Sequence, residues 1–184
     1  MVPLHFPSTL LKLITMNQPL KRPESPKKSP PSTAIQKSAG VKTDISPDQE
    51  MIQSIRQLKN GLQDYEIRQL VTQAEKLGNH LVSQGLKTNQ IRKFLDAVNR
   101  LKVKLSQDET QQFKTIEDEV VLLKPKLAYA AARQQSRHQS PVKPLADVIA
   151  VAIDHVYDTP DFDRLVQLIE SIIAYHKAAG GRDN

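Results

Sequence analysis

The 184-residue sequence contains no cysteine and no tryptophan, and aromatic residues make up only 4% of it. Without cysteine the chain has no disulfide, no thiolate metal site and no cysteine nucleophile, which is typical of proteins from a reducing cytosol. No apolar run approaches the ~20 residues that cross a bilayer, and Ser8 to Met16 is too short and interrupted for a signal peptide. We therefore expect a cytoplasmic chain with an aliphatic core and no membrane contact.

Side-chain patterns typical of catalysis and of cofactor binding are also missing. No glycine-rich phosphate loop is present, because Gly180-Gly181 is better explained as a helix stop. The five histidines lack the i, i+4 spacing of a metalloprotease zinc site. An acidic group beside His155 could hold a divalent cation: Asp154, Asp158, Asp161 and Asp163. Acids in the first turn of a helix more simply complement its dipole, so we expect no metal, no cofactor and no enzymatic activity.

Positive charge is in excess over the whole chain. Lysine and arginine number 26 against 20 acidic residues, for a formal net charge of +6. This excess favours an acidic partner, which could be nucleic acid, an anionic membrane surface or an acidic protein. A soluble, lysine-rich surface has the same charge balance.

The chain divides near residue 46. Residues 1–45 are dominated by proline, serine and lysine, as in "NQPLKRPESPKKSPPSTAIQKSAG". Such a composition cannot bury enough apolar surface to offset its ordering entropy. We predict a disordered segment, either a basic arm that grips a polyanion or a solvated tail, with Met16 as an alternative start.

Residues 46–181 predict helices throughout. Ser46-Pro47-Asp48-Gln49 supplies an N-cap, a proline in the first turn and a capping-box glutamine. Five further segments with apolar residues at helical spacing are expected to begin near Asp64, Thr88, Ser106, Ser140 and Thr159. Their predicted inward-facing residues include Ile67, Leu70, Leu77, Ile91, Phe94, Leu95, Phe113, Ile116, Leu127 and Ile169. The expected fold is all-α, a compact bundle of about five helices plus one weak leading helix.

Two basic stripes run along the predicted third and fourth helices. The first stripe is Lys93, Arg100 and Lys104, at i, i+7 and i+11. The second is Lys126, Tyr129, Arg133 and Arg137, which fall within a sector of roughly 80° on an α-helix. Cations beside an aromatic ring suit a single-stranded nucleic acid, with phosphates on the cations and a base on the ring. Basic residues near a helix C-terminus also complement its dipole, and Tyr129 could simply pack on a neighbour.

Pro125 lies inside the predicted fourth helix, within "LLKPKLAYAAARQQSRH". Proline has no N–H, and its ring presses on the carbonyl four residues earlier, which here belongs to Val121. We therefore predict a bend at Pro125. The bend would let the first half of the helix pack in the bundle while the basic half follows a partner, or it would simply wrap the helix around its own core.

Three stretches together resemble a known family. They are "TNQIRKFLDAVNRLK" (Thr88–Lys102), "LLKPKLAYAAARQ" (Leu122–Gln134) and "IIAYHKAAGG" (Ile172–Gly181). In order and spacing they are similar to the small subunit of Csm-type, type III-A CRISPR effector complexes, over roughly Ile67 to Gly181.

The resemblance implies a non-catalytic helical subunit that stacks in several copies beside the backbone and large subunits. It would contact the channel that holds guide RNA and target RNA. It also implies RNA-binding positions where the motifs match: Arg92, Lys93, Lys124, Lys126 and Arg133, with Tyr129 beside them. The stripes add Arg100, Lys104 and Arg137. Two alternatives stay open, a basic scaffold for an acidic protein and the small subunit of a Cmr-type complex.

Overall fold

The computed structural model describes residues 45–110, 112–133 and 140–183, and all of them belong to one compact unit. The helices in these ranges are α1 (Pro47–Arg56), α2 (Ile67–Ser83), α3 (Thr88–Gln107), α4 (Glu117–Val121), α5 (Leu123–Arg133), α6 (Lys143–Ile153) and α7 (Thr159–Ala178). Short 3-10 turns at Leu62–Asp64 and Phe113–Thr115 precede α2 and α4. The described residues contain no strand, which confirms the predicted all-α bundle. The predictions for residues 1–44 and for Arg137 lie outside the described residues.

Two helices from the C-terminal part of the sequence organise the core. α7 packs mainly against α2 and also against α3, while α6 packs against α1 and α5. Apolar side chains from all of these helices form one continuous buried cluster, which includes Leu70, Leu77, Ile91, Leu127 and Ile169. Each helix is therefore held by burial of one apolar face, as its 3.6-residue pattern predicts.

Two predicted inward-facing residues are placed differently by the structure. Ile67, the first residue of α2, is 44% exposed. Leu95 is only partly buried at the edge of the core. Both sit at the limit of an apolar stripe, where helical spacing alone does not decide burial.

The start of the second predicted helix is set by a cap that the sequence pattern did not indicate. The carboxylate of Glu66 accepts hydrogen bonds from the backbone N–H groups of Arg68 (2.9 Å) and Gln69 (2.7 Å). These two bonds are the main reason why the pKa of Glu66 is lowered. The helix therefore begins at Ile67 rather than at Asp64.

The prediction that a helix begins near Ser106 was wrong, because α3 continues through Ser106 to Gln107. The turn after α3 is built instead around Asp108, whose Oδ2 accepts hydrogen bonds from the hydroxyls of Thr110 (2.6 Å) and Thr115 (2.8 Å). These bonds, that of Thr110 first, lower the pKa of Asp108. They fix the loop that leads from α3 into α4.

The helix predicted to contain Pro125 is divided into α4 and α5. The division falls at Leu122, three residues before the proline. Pro125 thus lies in the first turn of α5, where a missing N–H leaves no intrahelical bond unmade. The helix is thus interrupted near the proline by one turn residue, Leu122, and the predicted bend stays a prediction.

No helix among the described residues is long and apolar enough to cross a membrane.

Candidate nucleic-acid interface

A cleft of about 610 Å³ separates α3 from α5. One wall comes from the N-terminal half of α3, the other comes from α5, and the floor extends to α6. Six apolar residues line its inner part: Ile91, Phe94, Leu123, Leu127, Val142 and Leu145. The two walls are held apart because α3 packs on α7 while α5 packs on α6.

Four cations line the same cleft. Lys87 and Lys93 stand on the α3 side, and Lys126 and Arg133 stand on α5. All four are exposed. None of them forms an ion pair with a carboxylate in the part of the chain that the structure describes. Their charges are therefore available to an anionic ligand.

An exposed tyrosine completes the α5 wall. Tyr129 also lines the cleft, and its side chain is 69% exposed. Helical spacing explains this arrangement, because Lys126, Tyr129 and Arg133 are separated by three and four residues and so share one face of α5. The predicted stripe on this helix is confirmed as a shared face as far as Arg133.

Three of the predicted RNA-binding residues have acidic or backbone partners away from the cleft. Lys124, on the other side of α5, forms an ion pair with Asp154. Lys104 pairs with Glu119 of α4. Arg100 donates from Nε to the carbonyl of Asp96 (3.2 Å) on its own helix. The structure therefore does not bring these three together with Lys93.

Arg92 lies next to the C-terminal segment rather than in the cleft. The pKa of Asp183 is lowered chiefly by Lys177, which donates to it at 2.9 Å, and the positive charge of Arg92 contributes to the same effect. The backbone of this segment also anchors the start of α3, because the Thr88 N–H donates to the Arg182 carbonyl (2.8 Å). Arg92 is thus exposed on a neighbouring surface.

Lys87 is the cleft cation that the basic stripes did not include. It precedes the first residue of α3, so no helical spacing relates it to Lys93. Its backbone N–H donates to the Gln90 side-chain oxygen (2.8 Å), which fixes the chain direction at this point. A lysine directly before a basic helix was the only sequence feature that could have indicated it.

The acidic residues considered as a metal site in the sequence do not form such a site among the described residues. The described residues contain no group of three or more histidine or acidic side chains suited to a metal ion. Asp161, from the acidic group considered in the sequence, instead accepts hydrogen bonds from the backbone N–H groups of Gln63 (2.8 Å) and Tyr157 (2.9 Å).

Comparison with known families identifies a related family. The family model described as Csm2 Type III-A matches residues 64–182, which include every residue of the cleft. No curated protein matches the chain.

Proposed function

The chain belongs to the Csm2 Type III-A family, and from this membership we propose that it is a non-catalytic, RNA-binding subunit of a type III-A CRISPR effector complex. Its partners would be guide RNA and target RNA, further copies of itself, and the backbone and large subunits of the complex. The family matched is the Csm type, which favours a Csm complex over the Cmr-type alternative. We place the complex in the cytoplasm.

The observation that carries the RNA-binding proposal is the composition of the cleft between α3 and α5. Lys87, Lys93, Lys126 and Arg133 converge on it beside the exposed ring of Tyr129. None of these cations pairs with a carboxylate among the described residues, unlike Lys104 and Lys124. The cleft can therefore neutralise phosphates without first breaking an ion pair.

Such contacts bind RNA without reading its sequence. Lysine and arginine side chains on phosphates carry no base information, whereas base pairing between guide and target supplies the discrimination. One subunit offers few phosphate contacts, so we expect weak binding by the isolated chain. Several copies in a complex present such contacts in series and gain from effective concentration. Nanomolar, sequence-selective binding by the isolated chain would contradict this proposal.

The direct test is the salt dependence of RNA binding by the full-length double variant Lys126→Ala/Arg133→Ala. For each phosphate of a single strand that the protein no longer neutralises, the slope of log K against log salt should become less negative by ~0.7, or about 1.4 for two phosphates. The slope is measured with a fluorescent oligouridylate at rising potassium chloride. Relative affinities for different RNA sequences should not change.

A matched control removes the same charge elsewhere. Lys76 pairs with Glu50, and Lys114 pairs with Glu117, on surfaces away from the cleft. The double variant Lys76→Ala/Lys114→Ala should keep the wild-type slope. Equal slope changes in both double variants would show that only net charge matters, and would remove the cleft from the RNA-binding surface.

A further inference from the structure

We propose that the cleft between α3 and α5 accommodates one unpaired nucleotide, with its base in the cleft and its flanking phosphates on the basic residues at the mouth. This inference rests on the proposed RNA-binding function and names the ligand of that site more narrowly. It predicts that the chain distinguishes an exposed base from a bare sugar–phosphate chain.

The interior of the cleft is unlike a surface that binds phosphates alone. Six of its lining residues are buried and apolar, with no hydrogen-bonding group in the side chain, and the polar residues Asn89 and Gln90 line it as well. A volume of about 610 Å³ falls in the range of ~300–1,000 Å³ that small-molecule sites occupy, which is ample for one nucleotide. A phosphate has no favourable contact with such a lining, whereas a base presents a flat apolar face to it.

The residues at the mouth of the cleft would contact the parts of the nucleotide that lie outside its interior. Lys93 and Lys126 line the cleft and are exposed, so their aliphatic stems can extend the apolar walls while their ammonium groups remain in solvent. Tyr129 presents its ring at the same mouth and could cover an inserted base. Phe94, the most accessible of the six inner residues, is 9% exposed and offers a second ring.

A base in a continuous duplex cannot occupy this site, because stacking and pairing hide both its faces and its edge. The ligand is therefore a nucleotide that is unpaired and unstacked. Since the six buried apolar residues of the lining have no hydrogen-bonding side chain, this apolar part of the site should not distinguish one base from another by its edge. Purines should bind a few-fold more tightly than pyrimidines, because they bury more apolar area.

The first experiment compares three ligands of equal length with the full-length chain. These are an oligoadenylate, an abasic ribose–phosphate oligomer with the same charge, and an RNA duplex. The oligoadenylate should bind about tenfold more tightly than the abasic oligomer, with the same salt slope, since one stacked base contributes that much. The duplex has a higher charge density, and the salt titration corrects for this difference. After the correction, the duplex should bind no more tightly than the abasic oligomer.

The second experiment fills the cleft without changing its charge. Ala130 lines the cleft on α5, so Ala130→Phe should weaken oligoadenylate binding about tenfold and leave abasic binding unchanged. Ala132, exposed two positions further along and outside the cleft, supplies the control Ala132→Phe, which should behave as wild type. Ala97→Phe fills the same cleft from α3 and gives a second variant if Ala130→Phe melts early.

The outcomes separate this inference from the proposed function. If Lys126→Ala/Arg133→Ala reduces the salt slope but adenylate and abasic oligomers bind equally, the cleft binds phosphates only and the nucleotide inference is wrong. If the double variant keeps the wild-type salt slope, and the adenylate and abasic oligomers also bind equally, both proposals fail. Displacement of oligoadenylate by an oligoglutamate peptide as readily as by unlabelled oligoadenylate would show selection by charge alone, and would also overturn the inference.

Discussion

At the scale of single residues, Asp161 shows how one buried carboxylate fixes two loops of the bundle. It is fully buried in the first turn of α7, yet it accepts hydrogen bonds from Gln63 in the 3-10 turn before α2 and from Tyr157 before α7. Gly61 leaves the room for it, because a Cβ at that position would lie 2.5 Å from the Asp161 oxygens. The carboxylate therefore ties the α1–α2 connection to α7.

We expect Asp161→Ala to destabilise the chain substantially. A buried N–H that loses its acceptor costs about 1–3 kcal/mol of unfolding free energy, and the substitution removes the acceptor from two part-buried N–H groups. The measurement is urea unfolding followed by circular dichroism. Asp163→Ala, two residues further on and exposed, should cost less than about 1 kcal/mol. Similar losses for both would mean that Asp161 acts only through the helix dipole, as its position in the sequence alone suggests.

Some residues of the candidate site could be predicted from the sequence pattern, and the partners of others could not. Lys126, Tyr129 and Arg133 were predictable because helical spacing alone places them on one face. The ion pairs of Lys104 and Lys124 were not, since Glu119 and Asp154 are 15 and 30 residues away in sequence. Only the fold brings those partners close.

At the scale of elements, the boundary between α4 and α5 decides where the basic face of α5 points. Pro125 has no N–H to donate to the carbonyl of Val121, which favours the observed interruption between α4 and α5. The division at Leu122 lets α5 follow α6 and leaves the cleft open toward α3. The presence of a break was predictable from one proline, whereas the resulting cleft depends on what the two halves pack against.

Pro125→Ala should restore the missing donor and favour a continuous helix through this boundary. We expect higher helicity by circular dichroism and a higher melting temperature, together with weaker RNA binding because α5 would leave its place beside the cleft. Pro160→Ala, in the first turn of α7 after a loop, is the control and should leave RNA binding unchanged. Unaltered RNA affinity in Pro125→Ala, despite added helix, would show that the break has no part in binding.

At the scale of the whole molecule, the matched family covers residues 64–182 and leaves the proline-rich N-terminal part outside it. We propose residues 1–45 as a separate segment and residues 46–181 as the RNA-binding bundle. Deletion of residues 1–44 should then leave the melting temperature of the bundle unchanged, because every core residue that the structure describes is kept. A lower melting temperature in the shortened chain would assign this segment to the folded unit.

The helical bundle as a whole was predictable, because long apolar patterns with a 3.6-residue period fix the existence of each helix. The ends of the helices were less predictable than their existence. They depend on local hydrogen bonds, such as those of the Glu66 cap and the Asp108 turn, which different residue types at different positions can form. The cleft is a property of the assembled bundle. It arises because two helices from different parts of the sequence are held apart by α6 and α7.

The central claim is that RNA lies in the cleft beside Tyr129, and photocrosslinking in the assembled complex tests it most directly. Target RNA containing 4-thiouridine would be irradiated and the attached tryptic peptides sequenced. Tyr129 and Tyr157 are matched reporters, since both are largely exposed, at 69% and 63%, but only Tyr129 lines the cleft. We predict adducts on the peptide from Leu127 to Arg133 and none at Tyr157. Adducts at Tyr157 without any at Tyr129 would contradict the assignment of the cleft as the RNA-binding site.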